Sequence, residues 1–120
     1  MSKSVLVTDD ALYCRMELKN ILTSRGYRVV GEARNGQEAV ERYRELRPDL
    51  VTMDVVMPEM DGVAAVKKIR EIDPQATILM CSSMGQRSLL MEALQAGASD
   101  FVTKPFRDRS VLNSVRKLIG

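Results

Sequence analysis

Apolar residues are spaced along the chain in two alternating patterns. Short runs of apolar and β-branched residues, of which Ser4–Thr8 and Asp49–Met53 are the clearest, are typical of strands buried on both faces. After each run, apolar residues recur every three or four positions, as on the buried side of a helix. Together the patterns predict five strands, at residues 4–8, 27–33, 49–53, 77–81 and 100–103, each followed by a helix.

Cap and turn residues mark where the predicted helices begin and end. Gly26 and Gly97 follow the first and fourth helices, as glycine often does at helix C-termini. Asn35 is expected to cap the second helix, with Glu38 as its capping-box partner. Glu38 is also spaced to form an ion pair with Arg42, one helical turn later.

Five strand–helix units with continuous apolar strands define an α/β fold class. Parallel strands of this kind are covered by helices on both faces, and right-handed crossovers between them give a three-layer, doubly wound sheet. In such sheets, ligands bind beyond the carboxyl ends of the strands, where the strand order reverses. Functional side chains are therefore expected among the residues that end the strands.

Composition and charge limit the classes of function. The 120 residues suffice for one domain, 1–120, and 45% hydrophobic with 28% charged residues is ordinary for a globular protein. The net charge of +2, with both signs interspersed, does not favour nucleic acid or a membrane surface as the main partner. No apolar run approaches a membrane span, and the N-terminus lacks a signal-peptide pattern. Cys14 and Cys81 lie within apolar patterns, which predicts buried free thiols in a reducing compartment, the cytoplasm.

The sequence contains no histidine. Nucleophilic sites that depend on a histidine base, and metal sites with histidine ligands, are thereby excluded. Any phosphoryl or acid–base chemistry must depend on Asp, Glu, Lys, Ser, Thr or Cys side chains.

Polar residues end four of the five predicted strands. Asp9 and Asp10 follow the first strand, Asp54 the third, Ser82 the fourth and Lys104 the fifth. If strands one and three are neighbours, three carboxylates converge, and each raises the pKa of the others unless a cation relieves the repulsion. Oxygen ligands without His or Cys favour Mg²⁺ over zinc. The sequence therefore predicts a magnesium site at the carboxyl edge of the sheet.

Asp54 is the best candidate for a nucleophile in phosphoryl transfer, because the other polar groups surround it. Lys104 would supply a positive charge, and Ser82 a hydroxyl donor, to a phosphoryl group. An acyl phosphate formed on Asp54 is labile, which suits a signal that must decay. Simpler roles as turn or helix-cap residues remain open for Asp54, Asp9, Asp10 and Ser82. Ser83 is adjacent to Ser82 and is the alternative candidate for the hydroxyl donor, although the place of Ser82 at the end of the strand favours Ser82.

Five motifs carry a resemblance to a known family. They are VTDD ending at Asp10, MDVVMPEMDG around Asp54, CSSMG with Ser82, AGASDF, and KPF at Lys104. Together they resemble the receiver domain of bacterial two-component response regulators over essentially the full chain, and within that family the chemotaxis regulators of the CheY type. The resemblance implies a flavodoxin-like sheet with the strand order 2-1-3-4-5.

The resemblance implies a role for each matched position of the site. Asp54 is implied as the phosphoacceptor, loaded from a phosphohistidine on a sensor histidine kinase. Together with Asp54, Asp9, Asp10 and the main-chain carbonyl of Val56 are implied as Mg²⁺ ligands. Lys104 would contact the phosphoryl group, and the peptide bond between Lys104 and Pro105 is expected to be cis.

Two further positions are implied to report the phosphorylation state. Ser82 resembles the switch hydroxyl of the family. Phe101 occupies the aromatic switch position, at which many chemotaxis regulators have tyrosine. A phenyl ring can move in and out but offers no hydroxyl to a partner. From its residue type alone, Phe101 could equally be a core aromatic.

The expected function is a signalling switch and not an enzyme. Its output is expected to be binding to a downstream protein, with a flagellar motor switch component as the candidate. The chain is expected to be a monomer that contacts neither nucleic acid nor membrane. Alternatives are a receiver of another two-component pathway or of a longer transcriptional regulator, and a metal-dependent phosphatase. The Asp-x-Asp arrangement of haloacid-dehalogenase-type phosphatases is absent, since Val55 and Val56 follow Asp54.

Overall fold

The computed structural model describes residues 2–120, which alternate strictly between strand and helix. Each strand begins and ends within one residue of its predicted bounds. The elements are β1 (Ser4–Thr8), α1 (Leu12–Thr23), β2 (Arg28–Ala33), α2 (Gly36–Leu46), β3 (Leu50–Asp54), α3 (Gly62–Ile72), β4 (Ile78–Ser82), α4 (Arg87–Gln95), β5 (Asp100–Thr103) and α5 (Asp108–Ile119).

The five strands form one parallel sheet in the order β2-β1-β3-β4-β5. The doubly wound α/β fold and its strand order are thereby confirmed. The central strand β3 pairs with β1 on one side, where Leu50 lies opposite Val5, and with β4 on the other, where Asp54 lies opposite Cys81. The strand ends that carry Asp9 and Asp54 are consequently neighbours at the edge where the strand order reverses.

Helices cover both faces of the sheet and create two separate cores. One core joins α2, α3 and α4 to the sheet through residues such as Val40, Val66, Leu90, Met53 and Met80. The other joins α1 and α5 to the sheet through residues such as Val7, Leu18, Leu22, Val111 and Val115. Each fully buried Leu, Ile or Val side chain contributes roughly 1.5–3 kcal/mol. The two cores therefore hold β1, β3 and β4 in place from both sides.

The start of α2 matches the predicted capping box only in part. Asn35 Oδ1 accepts the main-chain N–H of Glu38 at 2.8 Å, as expected. The carboxylate of Glu38, however, accepts the main-chain N–H of Arg34 at 2.8 Å and pairs with its guanidinium at 3.0 Å. The predicted Glu38–Arg42 ion pair is wrong, because Glu38 turns back to satisfy free donors before the helix. Arg42 instead lies 3.9 Å from Glu45.

Simple capping roles do not account for the polar residues at the strand ends. The N-cap of α1 is Ala11. The main-chain N–H of Ala11 donates to Asp9 Oδ1 at 2.9 Å. The N-cap of α4 is Gln86, four residues beyond Ser82. Ser82 therefore does not cap α4, and the interpretation of Ser82 as a helix cap is wrong.

The sequence predicts buried thiols at both cysteines, and the structure confirms this for Cys81 but not for Cys14. Cys81 is buried in β4, whereas Cys14 on α1 is only partly buried. Burial, followed by the nearby Asp54 carboxylate, raises the pKa of the Cys81 thiol. Within residues 2–120, no helix combines the length and apolarity that crossing a membrane requires.

Candidate functional site

Three carboxylates meet at the carboxyl edge of the sheet. Asp9 and Asp10 lie in the turn after β1, and Asp54 is the last residue of β3. One oxygen from each of the three side chains lies within 4.8 Å of the other two. Asp9 and Asp54 are buried, whereas Asp10 is exposed. We refer to Asp9, Asp10 and Asp54 as the acid cluster, which opens to solvent on the Asp10 side.

Lys104 reaches the acid cluster from the turn after β5. Its Nζ lies 2.8 Å from Asp9 Oδ2, at ion-pair distance although not aligned for a hydrogen bond, and donates a hydrogen bond to Asp54 Oδ2 at 3.3 Å. The main-chain N–H of Lys104 donates to the carbonyl of Ser82 at 2.8 Å, which ties this turn to the end of β4. The peptide bond between Lys104 and Pro105 is cis, as the sequence resemblance implies.

The environment of Asp54 raises the pKa of its carboxyl group toward neutral pH. Burial of the carboxylate, followed by the charge of Asp9, raises the pKa of Asp54 to about 6, while Lys104 acts in the opposite direction. Burial alone would lower the pKa of Lys104, but the close ion-pair contact with Asp9 and the negative charges of Asp54 and Asp9 outweigh it and raise that pKa. At pH 7 the site therefore contains an ionised Asp54 and a charged lysine in ion-pair contact with two carboxylates.

The residues of the acid cluster fit a hard divalent cation. Asp54 Oδ1 is buried and has no hydrogen-bond partner among residues 2–120. A buried carboxylate oxygen without a partner is costly, and a bound cation would satisfy it. All three candidate side-chain ligands are carboxylates, the ligand type that Mg²⁺ prefers, and no thiol lies among them.

Main-chain hydrogen bonds and close packing fix the loop that follows Asp54. The main-chain N–H of Val55 donates to the carbonyl of Cys81 at 3.1 Å, and its carbonyl accepts the N–H of Gly62 at 2.9 Å. A Cβ at Gly62 would collide with the main-chain carbonyl of Asp54, so only glycine fits there. Val56 lies two residues beyond Asp54 with an exposed side chain, and the role of its carbonyl as a metal ligand stays a prediction.

Ser82 and Phe101 lie together, beside the acid cluster and not within it. In the parallel register, Met80 pairs with Phe101 and Ser82 with Thr103. Paired residues of neighbouring strands share a face, and successive residues alternate between faces. Ser82 and Phe101 therefore share the α4 face of the sheet, whereas Cys81 pairs with Asp54 on the other.

An open cleft of about 320 Å³ runs along this α4 face. Its lining includes Ser82, Met84, Leu90, Met91 and Phe101, and we refer to it as the Phe101 cleft. The Phe101 side chain is 42% exposed, so the interpretation of this residue as a core aromatic is wrong.

Sequence reasoning missed one polar residue that contacts the site. Arg15 of α1 is buried, and its Nη1 donates to the main-chain carbonyl of Asp9 at 2.7 Å. Its position was the available signal, because Arg15 lies at helical spacing from the apolar residues Leu18 and Leu22. A charged residue on the inward stripe of a helix requires a buried partner.

Comparison with known proteins agrees with this architecture. The family model of the response regulator receiver domain matches residues 5–116. The chemotaxis protein CheY of Thermotoga maritima is 54% identical over 118 residues, which cover 98% of each chain. CheY of Bacillus subtilis is 53% identical over 120 residues and the full length of both chains.

A solved structure gives the same result at lower identity. A chain of the CheX–CheY–BeF3–Mg²⁺ complex from Borrelia burgdorferi aligns with a TM-score of 0.92 at 34% identity. The alignment covers 98% of this chain and 90% of that one. On its fold, the match of the family model and these relatives, the chain belongs to the response regulator receiver domain family.

Proposed function

We propose that this chain is a phosphorylation-activated response regulator of chemotaxis in which Asp54 accepts a phosphoryl group from a sensor histidine kinase. The observation that carries the proposal is the setting of Asp54. Its carboxylate lies against two further acids and one lysine, and one of its oxygens is free of protein partners within the described residues. Full-length similarity to chemotaxis CheY proteins supports the choice of pathway.

The transfer step uses the ionised form of Asp54. A carboxylate oxygen forms a bond to phosphorus while the bond between phosphorus and the kinase histidine nitrogen breaks, and that nitrogen keeps the electron pair. With a pKa of about 6, Asp54 is mostly ionised at neutral pH and available for attack. Asp9, Asp10, Asp54 and the Val56 carbonyl would hold Mg²⁺, which supplies positive charge against the phosphoryl oxygens when bound.

Lys104 and Ser82 respond to the new charge. In the unphosphorylated chain, the Lys104 ammonium is shared between Asp9 and Asp54. After transfer, it would donate to a phosphoryl oxygen, and the Ser82 hydroxyl would move toward the same group. Because Ser82 and Phe101 line one cleft, a movement of Ser82 changes the space open to the ring. Phosphorylation would thus shift a two-state equilibrium that Phe101 reports.

The functional output of phosphorylation would be a changed protein-binding surface and not a small-molecule product. We propose that the chain acts as a switch, as a single receiver domain over residues 1–120, as a monomer, and in the cytoplasm. Its output would be binding to a downstream protein, with a flagellar motor switch component as the candidate. No role for nucleic acid or membrane is proposed for this domain.

The central assignment is tested by labelling with a small phosphodonor. The parent chain is incubated with Mg²⁺ and acetyl phosphate, and intact mass spectrometry counts the phosphoryl groups. Asp54→Asn should take up none, while the exposed Asp108→Asn variant should label like the parent. Labelling of Asp54→Asn to the parental level would overturn the proposal.

A further inference from the structure

Arg15 is an unusual charged residue for its location. Its relative exposure is 8%, and it lies on the side of α1 that faces the sheet, beside the apolar core. Buried arginines are rare unless their donors are satisfied. The guanidinium has two partners, the main-chain carbonyl of Asp9 at 2.7 Å and the carboxylate of Glu32 at 2.9 Å.

Glu32 in turn holds Arg15 in one orientation. Its Oε1 accepts from Arg15 Nε, and its Oε2 accepts from Lys19 Nζ at 2.9 Å. The hydrogen bond from Lys19, opposed by partial burial and aided by the bond from Arg15, keeps the pKa of Glu32 below its usual range. A charged carboxylate on β2 thus links two basic residues of α1, one helical turn apart.

The Asp9 main chain is fixed at both of its polar atoms. Its N–H donates to the carbonyl of Ala33 at 3.0 Å, and its carbonyl accepts from Arg15. The carbonyl precedes α1, whose N-cap is Ala11 without a side-chain cap. The carbonyl at the end of β1 therefore obtains its buried donor from a side chain. Rotation of this peptide unit would move the carboxylates of Asp9 and Asp10 together.

We infer that Arg15 is a positioning residue that sets the metal affinity of the acid cluster by fixing the main chain between Asp9 and Asp10, and that Glu32 holds Arg15 in place for this purpose. The inference rests on the proposed function, since it concerns the same Mg²⁺ site. Residues outside the ligand set that orient the ligands commonly change metal affinity 10- to 100-fold when they are replaced. Arg15 would belong to this class.

The test measures metal binding without phosphoryl transfer. Mn²⁺ shares the oxygen-ligand preference of Mg²⁺, and free Mn²⁺ can be counted by electron paramagnetic resonance during a titration of the folded, unphosphorylated chain. Arg15→Met should weaken Mn²⁺ binding about tenfold. Arg15→Lys should lose less, because an ammonium keeps the charge without the fork of donors. The matched control is Arg42→Met, which removes an exposed arginine that lies 3.9 Å from a glutamate.

A merely structural role would give a different result. It would lower the melting temperature of Arg15→Met and leave the Mn²⁺ affinity of the folded chain unchanged, which would overturn the inference. In steady-state labelling with acetyl phosphate, a positioning role raises the Mg²⁺ concentration for half-maximal rate and changes the maximal rate little.

Two variants keep the inference testable if Arg15→Met does not fold. Glu32→Gln leaves Arg15 in place but removes its charged partner, and should weaken Mn²⁺ binding by a smaller factor. Parental affinity in both Glu32→Gln and Arg15→Lys would overturn the inference. If the parent chain binds Mn²⁺ but is not labelled by acetyl phosphate, the proposed function fails while the comparison of affinities still decides the role of Arg15.

Discussion

The acid cluster and the Phe101 cleft lie at the ends of neighbouring strands but are built in opposite ways. In the acid cluster, Lys104 contacts both buried carboxylates, and Asp9 also accepts the main-chain N–H of Ala11 at the start of α1. In the Phe101 cleft, Phe101 is 42% exposed and Met84 is fully exposed, and both line about 320 Å³ of open space together with residues of α4.

The difference indicates that phosphoryl transfer and the conformational response to it take place in separate regions. Phosphoryl transfer needs charged groups in fixed positions, because a small displacement of a charge changes its stabilisation of the transferred group. A response to phosphorylation needs side chains that can repack at low cost. Ser82 lies between the two regions, since it ends the strand next to the one that carries Asp54 and also lines the cleft.

The largest expected effect on metal affinity comes from the exposed member of the acid cluster. Asp10→Asn should lower the affinity for Mn²⁺ or Mg²⁺ on the order of 10- to 100-fold, because a charged ligand becomes neutral. Asp10 is exposed, so the free energy of unfolding without metal should change by no more than about 0.5 kcal/mol. Metal titration and urea denaturation in a chelator check the two halves, with Asp108→Asn as the control. An unchanged metal affinity would remove Asp10 from the ligand set.

Lys104→Met should damage stability more than any surface lysine does. The substitution leaves Asp9 and Asp54 buried without their counter-charge, and we expect the free energy of unfolding to fall by about 2–3 kcal/mol. Lys117→Met is the control, since it removes an exposed lysine 3.4 Å from Asp100 and should cost less than about 1 kcal/mol. Equal losses in the two variants would show that the acid cluster does not depend on Lys104.

The pH dependence of stability should carry the signature of Asp54. Its pKa of about 6 in the folded chain exceeds the ordinary value of 3.8, so the folded state binds the extra proton between these values. The contribution of Asp54 to stability is therefore present below pH 4 and is lost as the pH rises through 6. We expect the difference in the free energy of unfolding between the parent and Asp54→Asn to shift by about 2 kcal/mol against the parent from pH 4 to pH 7.

This measurement is made in a chelator, because a bound cation would favour the charged carboxylate. Urea denaturation at several pH values gives the difference directly. A difference that stays constant between pH 4 and pH 7 would place the pKa of Asp54 at its ordinary value.

The smallest effect is expected in the Phe101 cleft. Phe101→Ala should change the free energy of unfolding by less than about 1 kcal/mol, because the ring is partly in water already. The next residue is the control: Val102 is buried against α5, and Val102→Ala should cost roughly 1–3 kcal/mol. Labelling by acetyl phosphate should be the same in the parent and Phe101→Ala. A larger cost for Phe101→Ala than for Val102→Ala would assign the ring to the core.

Periodicity predicted the fold because each part of it is a local property. Apolar runs of five or six residues and helical stripes depend only on neighbours in the sequence, and each strand lies within one residue of its prediction. The acidic strand ends at Asp9 and Asp54 could be located for the same reason. Their convergence required the strand order, which the family resemblance implied and the structure confirms.

Contacts between distant residues were beyond the reach of the sequence pattern. The Glu38 carboxylate bonds to Arg34 and not to Arg42, because a free main-chain donor lies on that side. Phe101 is exposed because it faces an open cleft, although its residue type equally suited a core position. Arg15 gave a signal as a charge on an apolar stripe, but its partner is a main-chain carbonyl, which no residue type reveals.

The contact of Lys104 with two of three carboxylates also determines which valence the site can accept. With the three carboxylates and Lys104 all ionised, three negative charges and one positive charge give a formal net charge of −2. One divalent cation would neutralise this charge, whereas a monovalent cation would leave a net charge of −1. Potassium, although abundant in cells, is therefore a poor competitor on grounds of charge alone. By its contact with the acids, Lys104 therefore makes a doubly charged cation the best match to the charge of the acid cluster.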